Sequence, residues 1–165
     1  MKNFGKLLIA FVLTLFLNPG FSQNFLDKEL SPNKIYVLLA HPTVQNIETI
    51  NYLLTNRILQ LHEVEFVGVY SSAENYDYSQ SIALIKKPEM GRFHLQKLDG
   101  AMSSTQIFTP NEWTATFKNL FDHSVGIFFF GGPDIQPEIY GQKNIYSVVT
   151  DPNRHLFELS FLFHL

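Results

Sequence analysis

Apolar and polar positions change their period several times along this chain, and each change marks an element. Lys34–Ala40 (KIYVLLA) is a short continuous apolar run, the pattern of a strand buried on both faces. His41-Pro42 ends it. From Asn46 to Leu61, Ile47, Ile50, Leu54, Ile58 and Leu61 fall at helical spacing. Glu63–Tyr70 (EVEFVGVY) alternates in its first half and is rich in valine, which predicts a second strand. Strand, helix and strand at this length form a βαβ unit. Ser71–Asp77 is polar and reads as a loop, Tyr78–Lys87 as a short helix and Phe93–Leu98 as a third strand. The Asp99-Gly100 turn signal predicts a hairpin between that strand and Ala101–Phe108.

Two helix starts are written more plainly. Thr109-Pro110-Asn111-Glu112 offers a Thr N-cap, a Pro at the first helical position and a Glu two residues later, with Trp113, Phe117, Leu120 and Phe121 following at helical spacing. Val125–Phe130 (VGIFFF) then reads as another buried strand, which stops abruptly at Gly131-Gly132-Pro133-Asp134. Near the end, Thr150 or Asp151 caps, Pro152 sits at or near the first helical position, and Asn153–Leu165 is helix-like. Its last residues, SFLFHL, are nearly all apolar and carry no capping signal, so the chain is expected to be a fragment. Strands alternating with helices give an α/β fold with a mostly parallel sheet.

Composition narrows the class. A length of 165 residues points to one domain. A mean hydropathy of +0.01 excludes a polytopic membrane protein. The formal net charge is −3 and no basic run occurs, which argues against a nucleic-acid partner. Lys2 and Lys6 followed by the apolar Leu7–Leu17, then Asn18-Pro19-Gly20 with small Gly20 and Ser22, read as a signal peptide over residues 1–22. The competing reading is an uncleaved anchor, for which the apolar run is short. Residues 23–165 would then be an exported domain, periplasmic or secreted, with no stable membrane anchor. Removing residues 1–22, which carry two lysines and no acid, takes the net charge from −3 to −5.

Cysteine is absent, so neither a disulfide nor a lipoprotein attachment is available. Phosphate-binding glycine loops and the Gly-x-Ser-x-Gly elbow are missing as well. The six histidines include no metal-binding pair, so neither a metal nor a cofactor is expected. His41 is the one histidine at the C-terminal end of a predicted strand, where open α/β sheets form their ligand crevices. The plainer reading is a surface histidine before a proline. Gly131-Gly132 also follows a strand. Two glycines admit unusual backbone angles and leave N–H groups uncovered, as an oxyanion hole requires. They equally suit a tight turn that holds nothing.

The stretch FFFGGPDIQPEIYGQ, followed by TDPNRHLFELSFLFHL, resembles the gamma-glutamyl hydrolase and gamma-glutamyl-gamma-aminobutyrate hydrolase group of the class I glutamine amidotransferase-like superfamily. The residues that carry the likeness are Gly131-Gly132, Pro133-Asp134, Pro137, Tyr140-Gly141, Asp151-Pro152, Arg154 and Phe157-Glu158-Leu159. It spans Val125–Leu165; residues 34–124 fit by their alternation of strand and helix alone. The resemblance implies a flavodoxin-like sheet with helices on both faces, cut short before the nucleophile strand. It also implies an exported hydrolase that cleaves a small-molecule gamma-glutamyl amide through a cysteine thioester. Gly132 would supply an oxyanion-hole N–H beside Gly131, with Pro133 and Asp134 near the substrate. The nucleophile, its histidine and its acid are expected beyond this chain, and no cofactor is implied. Tyr140, Arg154 and Glu158 suit structural roles at least as well as substrate contacts. Such family members often carry an acid where this chain has His155. The alternative is an exported module that binds a gamma-glutamyl or amino-acid ligand without turning it over.

Overall fold

The computed structural model of the protein describes residues 24–165. The segment read as a signal peptide, residues 1–22, lies outside these residues. Four parallel strands form one sheet: β1 (Ile35–Ala40), β2 (Val64–Ser71), β3 (Phe93–Leu98) and β4 (Ile127–Phe128), in the order β3-β2-β1-β4. The register pairs Ile35 with Val64, Phe66 with Phe93, and Leu38 with Ile127. The chain therefore starts in β1, moves outward through β2 to β3, and crosses back to lay β4 on the other side of β1. The direction of winding reverses between β1 and β4, the position at which open α/β sheets hold ligands.

Alternation along the strands builds a core on each face. Tyr36, Leu38, Val67 and Val69 point to one side and pack under α3 (Thr114–Asp122) and α4 (Pro152–Phe163), against Phe117, Leu120, Phe157 and Phe161. Leu39, Val64 and Phe66 point to the other, under α1 (Val44–Thr55) and α2 (Ser79–Ile85). The α/β architecture with a parallel sheet and helices on both faces is as the sequence predicts. Burial of each large side chain contributes about 1.5–3 kcal/mol, and the stacked Phe121–Phe161 pair joins α3 to α4, with Phe157 stacked on Phe161 within α4. Gly68 is glycine for lack of room: a Cβ there would lie 2.7 Å from Pro42 Cγ and 2.8 Å from Leu95 Cδ2.

Several element boundaries differ from the sequence reading, each for a local reason. α1 starts at Val44 because Thr43 Oγ1 accepts from the Asn46 N–H, and it ends at Thr55 because Arg57 adopts a left-handed conformation, φ 57°. Ile58, expected within the helix, is exposed. The hairpin from β3 to 101–108 does not form. Gly100, φ 96°, turns the chain, the Ser71 hydroxyl donates to the Gly100 carbonyl, and the Gly100 N–H reaches Ser72 Oγ. The following residues enter the core through Met102 and Ile107 with only a 3-10 turn at Ser104–Gln106. α3 begins at Thr114 rather than after Thr109. Asn111 takes over the start: its Oδ1 accepts from the Trp113 N–H while its own N–H donates to Thr114 Oγ1. β4 is short and lies at the sheet edge, with Val125, Phe128 and Phe129 exposed, not buried as the apolar run suggests.

Candidate functional site

The C-terminal ends of β1, β2 and β4 gather most of the polar chemistry. β1 ends at Ala40, and His41 follows with φ 53°, a left-handed conformation that costs about 1 kcal/mol for a residue with a Cβ. The Thr43 N–H and Asn46 Nδ2 both donate to the His41 carbonyl at 2.8 Å and hold it there. The imidazole is thereby turned toward the loop that follows β2.

Glu74 waits in that loop with its side chain fully buried. The Ser71 N–H donates to its Oε1 at 2.8 Å, and the Tyr78 hydroxyl donates to its Oε2 at 2.6 Å. His41 Nδ1 lies 2.7 Å from the same oxygen and 2.7 Å from the Tyr78 oxygen. A carboxylate only accepts and the Tyr78 hydroxyl proton is given to Glu74, so satisfying the network assigns a proton to His41 Nδ1. Burial, and then the negative charge of Glu74, push the Tyr78 phenol upward, so it stays a neutral donor. Tyr76 and Tyr78 meet the imidazole edge-on at 5.7 and 5.9 Å, and Tyr76 Oη accepts from the Val44 N–H at the start of α1.

α4 supplies the opposite wall. Asp151 caps it, its Oδ1 accepting from the Arg154 N–H at 3.1 Å, and its Oδ2 accepts the Asn75 N–H at 2.8 Å. Asn153 Nδ2 donates to the Ala73 carbonyl and Asn75 Nδ2 to the Thr150 carbonyl. The loop after β2 is thus stitched to the head of α4. Arg154, almost wholly buried, donates from Nε to Glu158 Oε1 and from Nη2 to the Phe130 carbonyl, both at 2.9 Å. Burial raises the Glu158 carboxyl above its ordinary range, and the Arg154 charge opposes the rise.

The glycine turn gains a different explanation here. Neither Gly131 nor Gly132 has a positive φ, so unusual backbone angles are not their reason. A Cβ on Gly132 would collide with the Arg154 guanidinium, coming within 2.9 Å of Cζ. A Cβ on Gly131 would meet open space. Gly132 is bare because an arginine lies flat against it. Both glycines are exposed, and among the described residues neither N–H has a hydrogen-bond acceptor. Pro133 and Asp134 are exposed as well, and Asp134 Oδ2 accepts the Val148 N–H, closing the loop that follows.

His155 sits behind Pro133, 3% exposed, with neither ring nitrogen in a hydrogen bond. Burial lowers its pKa first and the neighbouring Arg154 charge second; Asp151, the Pro133 carbonyl and Asp134 act the other way. It therefore remains a neutral, packed side chain.

Of the residues singled out in the sequence, His41, Gly131, Gly132, Arg154 and Glu158 share this edge. Pro133 and Asp134 form its outer rim, and Tyr140 is exposed on the turn beyond. Glu74 and Tyr78 were missed, although the strand-end rule that singles out His41 applies equally to a carboxylate just past β2. A cavity of about 550 Å³ lies elsewhere, between α2 and β3, with Phe93 and Leu95 in its wall and Lys28, Lys86 and Lys87 around it. None of the groups described above lines it. Among the described residues no three His, Asp or Glu side chains converge as metal ligands, and no helix is long and apolar enough to cross a membrane. No family model, no curated protein and no solved structure matches this chain.

Proposed function

We propose that residues 23–165 are the N-terminal, substrate-holding part of an exported gamma-glutamyl hydrolase of the glutamine amidotransferase-like kind. The observation that carries the reading is the Gly131-Gly132 turn: two unpartnered N–H groups at the winding reversal, backed by a buried guanidinium. Donors held rigidly at such an edge stabilise the negative charge that develops on a carbonyl oxygen under attack. Each well-placed donor is worth about 10²–10³ in rate. Arg154 adds positive potential from behind the turn and keeps the Phe130 carbonyl fixed. The attacking thiolate and its histidine base would come from a segment outside these 165 residues, which contain no cysteine.

The missing cysteine also favours a second reading, an exported module that binds a gamma-glutamyl or amino-acid ligand without turnover. Reading the gene past the codon for Leu165 separates the two. A frame that continues into a Gly-x-Cys-x-Gly elbow, and a longer product that releases p-nitroaniline from gamma-glutamyl-p-nitroanilide, are the results expected of the hydrolase. A stop codon directly after Leu165 would overturn it and leave binding as the function.

A further inference from the structure

We propose that the cavity between α2 and β3 binds a small amphipathic acid, an alkyl carboxylate whose chain lies on Phe93 and Leu95 and whose charge meets Lys28, Lys86 and Lys87. The inference is independent of the reading above, because no group at the Gly131-Gly132 edge lines this cavity.

Size and apolar lining set the body of the ligand. The cavity holds about 550 Å³, within the range of small-molecule sites. Ile82 and Ile85 of α2, Pro88 in the turn that follows, and Phe93 and Leu95 of β3 form its apolar wall. Phe93 and Leu95 are themselves buried, so the floor is continuous with the core. An aliphatic chain laid on that floor removes apolar surface from water, which is favourable.

Charge sets the other end. Three lysines line the cavity and no carboxylate does, in a chain whose acids outnumber its lysines and arginines by 15 to 12. Lys34, Lys97 and Lys118 each pair with a carboxylate, whereas Lys28, Lys86 and Lys87 have no ion-pair partner among the described residues. The nearby acids are engaged or turned away. Glu65 lies 2.7 Å from His94 Nε2, in the cavity wall, and 3.3 Å from Lys34 Nζ. Glu89 lines a separate cavity with Asn51 and Arg92. A lysine keeps its stem on apolar surface and its ammonium in water, so the three together place positive charge at the mouth of an apolar space.

The sheet edge favours a small molecule over a peptide strand. The Phe66 N–H donates to the Arg92 carbonyl and the Ser72 N–H to the Leu98 carbonyl, so the even-numbered residues of β3 face β2. Phe93, Leu95 and Lys97 therefore turn their N–H groups outward. Asn24 Oδ1 accepts the Lys97 N–H, and the Leu26 N–H donates to Gln96 Oε1, so residues 24–26 close that end of the edge. The open stretch left at Phe93 and Leu95 is too short to pair a strand.

Amide NMR of the full chain tests the site, with titrations of sodium octanoate, 1-octanol and sodium acetate. Octanoate should bind saturably and move the amide signals of Ile82, Ile85 and Leu95. 1-Octanol, with the chain and no charge, should bind about tenfold more weakly or worse. Acetate, with the charge and no chain, should give no saturable shift. Replacing both exposed lysines, Lys86→Gln with Lys87→Gln, should weaken octanoate about threefold or more and leave 1-octanol unchanged. Equal binding of octanoate and 1-octanol would overturn the acid site. So would shifts centred on the exposed Phe128 and Phe129 at β4, or no binding at all. The ligand comparison on the unaltered chain stands even if the variant fails to fold, and none of these outcomes bears on the hydrolase reading.

Discussion

Gly132 and His155 show how one buried arginine shapes its surroundings. The guanidinium of Arg154 occupies the space a Cβ would need at position 132, and position 131 has room to spare. Gly132→Ala should therefore destabilise the protein by about 1–3 kcal/mol, the usual cost of overpacking, while Gly131→Ala stays within about 0.5 kcal/mol. Urea unfolding of the two variants checks the contrast. His155 makes a prediction about pH. Its pKa is lowered in the folded protein, so on acidification the unfolded chain takes up the proton first, near the ordinary value of about 6.5. Stability contributed by the neutral ring is present above that value and is lost as the pH falls through it. Glu158 has the opposite sign: its carboxyl is raised, so the folded state binds that proton first and gains relative stability in the carboxylate range. Denaturation midpoints measured from about pH 7.5 down to about pH 5.5 should fall for the parent protein and fall less for His155→Leu. Sequence reading found His41 by its place at a strand end. It passed over Glu74, which the same rule reaches just past β2, and it missed Tyr78 because only the turn between β2 and α2 brings that hydroxyl onto the imidazole. It found Gly132, though unusual backbone angles are not why it is glycine, and nothing in the local sequence shows that Arg154 lies against it.

Among the elements, the apolar periods were legible wherever local pattern and tertiary packing agree. β1, β2 and β3 fall within a residue of their predicted limits, and α4 begins at Pro152 under an Asp151 cap. Two of the misreadings, the hairpin and the start of α3, lie between residues 99 and 114. There Asp-Gly and Thr-Pro signals compete with contacts from distant segments, and Ser71, Ser72 and Asn111 decide the outcome. Asn111 Nδ2 also donates to Ser160 Oγ on α4, a contact no local rule anticipates. Asp151 carries two jobs, the helix cap and the bond to Asn75. Asp151→Ala should cost about 2 kcal/mol or more, beyond a simple cap at about 1 kcal/mol, read as a lowered melting temperature. Thr43→Ala at the start of α1 removes a cap alone and serves as the reference.

Taken as a whole molecule, the protein is unevenly covered. β4 pairs through two residues and presents Phe128 and Phe129 at an open edge, while Leu162 and Phe163 are about half exposed on α4. Open strand edges with apolar side chains are templates for association. The 165-residue chain should self-associate at micromolar concentration in sedimentation velocity, and Phe128→Lys should reduce that association by placing a charge on the edge. A monomeric parent chain would contradict this.

The stitching of the β2 loop to α4 bears on time as well as space. Asn75 and Asp151 are 76 positions apart in the sequence, and Ala73 and Asn153 are 80 apart. Contacts across such separations form late, because the intervening chain must first be ordered. The amide of Asn75 has only the Asp151 carboxylate to shield it, so its exchange with solvent is a clock for the docking of α4. Until that clock stops, His41 and Glu74 can already be in place on the β1–β2 side while α4 has yet to close over the loop. The two walls of this edge therefore meet only at the closing step of folding.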